Sequence, residues 1–361
     1  MMRHLAAWGI FFIVLAACPV GSPAKVSGPC VNCHTMHNSQ GGSPMAFRMS
    51  GGSKVYGGLV NEGLLNTDCI GCHQGANVSG SVPFVFDASA PNYGLTGTEA
   101  GTTTLAGGNF HWASMGAERT GHNVSGITPL DSVHGVTPPG GVAMGGQITC
   151  GGILGCHGSP SAATPTQAIM GGHHGKDMTA WQDGTSVAKS YRFLNGVQGG
   201  EDPNFEFRPT QNQHNKYYGV DRSSETNLAG GSISSHCARC HGDFHNGNGK
   251  MAAGSFGAGI WLRHPIDFDM SRSASSTEYA AYNNGSGTAN PYSVISPVAT
   301  ASTTPVVNTS VYAATDDAIV MCLSCHRAHG TPYDAIMRWD YKKWPQADGY
   351  NGCAVCHTSK N

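Results

Sequence analysis

Pairs of cysteines two residues apart, each closed by a histidine, recur five times in this chain: Cys30-Val-Asn-Cys33-His34, Cys69-Ile-Gly-Cys72-His73, Cys237-Ala-Arg-Cys240-His241, Cys322-Leu-Ser-Cys325-His326 and Cys353-Ala-Val-Cys356-His357. Two thiols at this spacing add across the vinyl groups of a porphyrin, and the adjacent imidazole turns inward to take the iron. This is the attachment pattern of c-type haem. Structural zinc also uses Cys-x-x-Cys pairs, but it has no need of a histidine directly after every second cysteine. A redox dithiol needs one reactive pair rather than an array, and disulfides leave the histidines unexplained.

A sixth candidate keeps the terminal Cys-His but widens the gap, as Cys150-Gly-Gly-Ile-Leu-Gly-Cys156-His157. Its three glycines let the backbone bulge outward so that both sulfurs still reach their vinyls; a disulfide or two free thiols are the alternatives. Of the 13 cysteines, the regular motifs leave only Cys18, Cys150 and Cys156. The expected cofactor is six covalently bound haem c. The thioether links fall at Cys30, Cys33, Cys69, Cys72, Cys150, Cys156, Cys237, Cys240, Cys322, Cys325, Cys353 and Cys356, and the proximal iron ligands are His34, His73, His157, His241, His326 and His357.

Six irons with two axial imidazoles each need six more histidines. Setting aside His4 and the proximal residues, eleven of the 18 remain: His37, His111, His122, His134, His173, His174, His214, His236, His245, His264 and His329. That surplus favours bis-histidine ligation over methionine, which would raise the potentials. His37, His245 and His329 each follow a motif histidine by three or four positions. A histidine so placed is unable to reach the far face of its own haem and serves a neighbouring one instead.

The elements that must position these groups are weakly written. Charged residues are 12% of the chain and glycine is 51 of 361 residues, about half and twice the usual shares. Amphipathic periodicity is scarce. Such a composition leans towards disorder unless porphyrin faces supply the core, so the expected fold is mostly irregular, with short helices and few short strands wrapped around a chain of haems. The best helix candidate opens at Thr315-Asp316-Asp317 and runs into Cys322; Val82–Phe86 and Val306–Val311 are weak strand candidates. No linker and no exact repeat divides the chain, so residues 25–361 read as one domain.

Before it, Arg3 precedes an apolar run ending in Leu15-Ala16-Ala17-Cys18. A run of about a dozen such residues is a Sec signal peptide rather than a permanent span. The box ending at Cys18 suits lipoprotein cleavage, giving a signal peptide over 1–17 and a lipid on Cys18; ordinary cleavage after Ala24 gives 1–24. The formal charge of −2 excludes a basic nucleic-acid surface and suits metal cations or positively charged redox partners.

The segment Cys30-Val-Asn-Cys33-His34-Thr35-Met36-His37-Asn38-Ser39 resembles the opening of the filament-forming outer-surface multihaem cytochromes of metal-reducing bacteria, the OmcS-like nanowire proteins. Gly121-His122-Asn123, Ser190-Tyr191-Arg192-Phe193-Leu194, Leu262-Arg263-His264-Pro265 and Cys322-Leu-Ser-Cys325-His326-Arg327-Ala328-His329 resemble family segments in the same order. The resemblance implies a continuous row of bis-histidine haems and head-to-tail polymerisation, with His37 ligating a haem of the next protomer. It also implies distal roles for His122, His174 (or its neighbour His173), His245, His264 and His329. The wide Cys150–Cys156 gap and the box at Cys18 depart from the family pattern.

The expected function is extracellular electron transfer at or beyond the outer surface, with metal oxides or redox proteins as acceptors and no catalytic residues. The alternatives are a multihaem reductase with an open coordination position, or a monomeric lipid-anchored or periplasmic carrier. No Cys-x-x-Cys-Lys occurs in the chain.

Overall fold

The computed structural model describes residues 26, 28–79, 82–222, 230–245, 264–273, 277–343 and 352–359. The signal-peptide and Cys18 expectations lie outside them. Regular structure comes in fragments. Described α-helices run four or five residues, such as Cys69–His73, Ile233–Cys237 and Cys322–Cys325. Among the described residues, strands pair in six two-stranded sheets, of which the hairpin Phe47–Ser50 with Ser53–Tyr56 is the longest. No described helix is long and apolar enough to cross a membrane. The mostly irregular fold expected from composition is what the chain adopts.

Turn and loop backbone bonds, supplemented by side chains, satisfy the buried backbone in place of long ladders. The Arg327 guanidinium donates to the Tyr93 hydroxyl at 2.9 Å and to the carbonyls of Leu105, Ala106 and Thr96 at 2.9, 2.8 and 3.0 Å. It thereby binds the loop over 93–106 to the segment carrying His326 and His329.

Among the described residues, apolar side chains pack against one another in two clusters. One holds Tyr191, Leu194, Val197, Tyr217, Ile233, Ala299, Ile319 and Met321; the other holds Met270, Tyr282, Tyr292, Val298, Val311, Ala318, Val320 and Val355. The strand Ile319–Val320 separates them. Successive strand residues face opposite ways, so Ile319 enters the first cluster and Val320 the second.

That strand overturns the helix expected from Thr315. Ile319 and Val320 pair with Asp269 and Phe268, and helix begins only at Cys322. The Asp317 carboxylate accepts the N–H groups of Tyr312, Ala313 and Ala314 at 2.7, 2.9 and 2.9 Å. It caps the turn behind it instead of opening a helix ahead. Of the strand candidates, only Ser310–Val311 is a strand, paired with Asn290–Pro291; in 82–86, Phe86 makes a single bridge to Gln74.

Candidate haem sites

A short helical turn brings the two cysteines of a Cys-x-x-Cys pair to one side and rotates the next residue about 100° away. The motifs use this device: Cys69–His73 is α-helical with its N-cap Asp68 accepting from Gly71 N at 2.9 Å, while Cys30–Asn32 and Gly352–Val355 are 3₁₀ turns. The wide sixth motif solves the problem differently. Thr149–Gly151 and Gly155–His157 run parallel to each other in a tight coil. A Cβ at Gly155 would lie 2.5 Å from Gly151 N, and Gly152 sits at φ +85°. The bulge expected from its glycines is therefore present, with Cys150 and Cys156 in adjoining strands.

Five of the six motif histidines share one further feature. Nδ1 bonds a backbone carbonyl in His34 (Gly63, 3.0 Å), His73 (Pro83, 3.0 Å), His157 (Arg192, 2.9 Å), His241 (Pro139, 2.7 Å) and His326 (Ala335, 2.8 Å). A carbonyl is only an acceptor, so Nδ1 carries the proton and Nε2 is left with its lone pair. This is the tautomer and orientation that metal-binding histidines need. Burial pushes His73, His157 and His326 towards the neutral, ligating form.

Five of the six motif rings, a set that includes His357 and not His326, face a second imidazole. Centroid separations are 6.1 Å for His34–His174, 6.2 Å for His73–His173, 6.2 Å for His157–His329, 6.1 Å for His241–His122 and 6.1 Å for His357–His264. Rings in van der Waals stacking would stand closer, as His214 and Tyr292 do at 4.0 Å. A metal–nitrogen bond of about 2 Å on each side, plus about 1 Å from each ring centre to its nitrogen, puts two axial imidazoles about 6 Å apart. The five pairs fit one iron each.

On the facing side, burial lowers His122 and His173 to about 4 and His329 to about 3. His122 also donates Nδ1–H to the Ala328 carbonyl at 2.7 Å, and His264 to that of Pro265 at 2.9 Å.

His122, His264 and His329 thus stand opposite motif histidines. So do both His173 and His174, where one of the two was expected. They occupy the one-turn helix Gly172–Gly175, where the turn between neighbours splays their rings towards different partners, and the adjacency of two histidines was the signal for it. His245 faces none of the motif rings. It is buried against the Cys322 sulfur and near the Asp267 carboxylate. His326 faces no imidazole among the described residues. His37 is exposed.

The sites connect. One continuous cavity of about 2070 Å³, with mainly apolar walls, is lined by every motif histidine and every motif cysteine except Cys30. Sulfurs of successive motifs approach one another along it: Cys33 with Cys72, Cys69 with Cys150, Cys156 with Cys240, Cys237 with Cys322, and Cys325 with Cys353 and Cys356. The sites therefore follow one another in space in the order in which they occur in the chain.

A sequence profile described as a doubled CXXCH motif matches residues 314–361. Over 365 aligned residues the chain is 27% identical to the C-type cytochrome OmcS of Geobacter sulfurreducens, covering 86% of this chain and 78% of that protein. The chain is a c-type cytochrome similar in sequence to OmcS. Among solved structures it is similar to the Outer Membrane Cytochrome S filament from Geobacter sulfurreducens, with a TM-score of 0.47 and 22% identity over 87% of this chain and 84% of that one. A cryo-EM structure of the OmcS nanowires from the same organism gives 0.46 and 21% over 88% and 84%. Covalent c-type haem is the cofactor that the paired motifs of this cytochrome hold.

Proposed function

We propose that the chain is a hexahaem electron conduit that polymerises end to end outside the cell, delivering electrons to extracellular metal oxides or redox proteins. What supports this most directly is the single cavity in which six attachment sites succeed one another without a gap. When bound, the haems supply one-electron redox chemistry. The chain's own residues tether them through the twelve cysteines, hold the axial imidazoles in their neutral tautomer and keep water from the interior.

The polymer follows from the imidazole left unmatched. His326 needs a sixth-ligand partner, and His37, exposed three residues after the first motif histidine, is free to enter a neighbouring protomer. A contact of this kind is head-to-tail, so it propagates rather than closing. Secretion by a Sec signal, and a lipid on Cys18 holding filaments to the outer membrane, complete the proposal.

The open face of His326 also favours a second reading, a haem that binds a small ligand in the unpolymerised chain. The two part on spin state. In assembled material every iron is expected to be six-coordinate, low-spin and indifferent to cyanide; a persistent high-spin signal or tight cyanide binding would favour a reductase. Intact mass of the mature protein, with pyridine haemochrome quantitation, is expected to return six haems. A count of five with Cys150 unmodified would remove the third site from the row.

A further inference from the structure

The cavity wall carries a cluster of buried charge beside the third site. Lys176, Glu201 and Arg192 all line it, with side-chain exposures of only 2%, 1% and 16%. Lys176 Nζ donates to Glu201 Oε1 at 2.7 Å, to Gln182 Oε1 at 2.9 Å and to the Ser190 carbonyl at 2.5 Å. Three acceptors account for three protons, so the group is an ammonium. Glu201 Oε1 also accepts the Arg192 backbone N–H at 2.5 Å, and Glu201 Oε2 stands 3.6 Å from Arg192 Nη1. Arg192 Nη2 is committed to the Asp202 carbonyl at 2.8 Å and Asn215 Oδ1 at 2.6 Å.

Arg192 ties this triad to the third site, because its carbonyl accepts Nδ1–H of His157 at 2.9 Å. Phe193 fills the space alongside, its ring 5.2 Å from that of His173 and 5.1 Å from Lys176 Nζ. Packing alone does not call for charge here, since apolar side chains of similar volume serve as well as a buried ion pair or better. Two further buried carboxylates, Asp202 and Glu206, lie beside the triad and add a fixed negative background that the substitutions below leave unchanged. Asp202 accepts the Glu206 N–H at 2.7 Å, and Glu206 accepts the Asn215 N–H at 2.8 Å and the Tyr217 hydroxyl at 3.3 Å.

We propose that the Lys176–Glu201–Arg192 triad, two cations and one anion, sets the reduction potential of the third haem. The iron's charge falls by one when it is reduced, and a fixed charge in a dry interior acts on that change with little screening. The triad's two cations favour the ferrous state and its anion opposes it, so each substitution shifts the potential by the sign of the charge it removes, through local charge rather than through axial ligand identity. The inference rests on Cys150, Cys156 and His157 forming a haem site.

Spectroelectrochemical titration of Lys176→Met tests it. The substitution preserves volume and leaves Glu201 paired with Arg192, so six haems are expected to remain. One of the six midpoints is expected to move negative, while Lys176→Arg leaves it in place. Glu201→Gln should move the same midpoint positive. Opposite signs separate electrostatics from a loosened pocket, which would shift both variants the same way. Unmoved midpoints in Lys176→Met with six haems, a positive shift, or loss of the third haem would overturn the proposal, the last by making Lys176 a structural anchor. The wild-type count keeps the premise separate: five haems removes the site, whereas six haems with an unresponsive midpoint removes only the tuning.

Discussion

Substituting His37→Ala is expected to convert the assembled cytochrome into monomers that still carry every haem. Attachment depends on Cys30, Cys33 and His34, which the change leaves alone, so the intact mass should fall only by the difference between the two side chains. One iron per protomer, that of His326, should lose its sixth ligand and give a high-spin signal with an open site for cyanide. Axial ligation across the boundary makes the interface partly a coordination bond, and no ordinary contact of similar area substitutes for it. His245→Ala is the matched control. If His245 were the partner of His326, that variant would show the high-spin iron and His37→Ala would not. Filaments of His37→Ala with fully low-spin haem would show that His37 does not bridge protomers.

The two histidines differ in how far sequence alone could place them. The proximal set was legible because a covalent motif is local: Cys, Cys and His lie within one turn, and the turn forms wherever that spacing occurs. The partners were not local. His329 lies three residues after His326 yet faces His157, and His122 meets His241 across the cavity. Loops without periodicity carry no record of which ring they deliver to which site, so composition fixed the fold class and left the pairing open. His173 shows the same limit at short range, for a doubled histidine looks redundant until a one-turn helix turns each ring towards a different motif histidine. The helix expected from Thr315 failed for a related reason. Acidic residues that read as a first turn serve the backbone behind them, and the strand after them is dictated by two clusters that meet only in the folded chain.

Substituting Gly108→Ala should disturb two irons at once, through a backbone crossing rather than through a ligand. Gly108 sits at φ +81°, and a Cβ there would lie 1.9 Å from the Gly330 carbonyl oxygen. The left-handed backbone alone costs alanine about 1–2 kcal/mol. The overlap is with main chain, which no rotamer change relieves, and forcing it apart adds about 1–3 kcal/mol. Gly330 bridges both Gly108 and Gly121, and the Asn109 N–H donates to the Gly330 carbonyl at 2.8 Å. The crossing holds two imidazoles that face motif histidines: His329 N donates to Gly107 O at 2.7 Å, and His122 N to His329 O at 3.2 Å. Parting the strands by the ångström or more that a methyl group demands therefore withdraws His329 from His157 and His122 from His241 together. High-spin signal is expected from two irons per protomer, against one for His37→Ala, with polymerisation through His37 retained and the haem count unchanged. An unaltered low-spin spectrum in Gly108→Ala would mean that the crossing does not position these ligands.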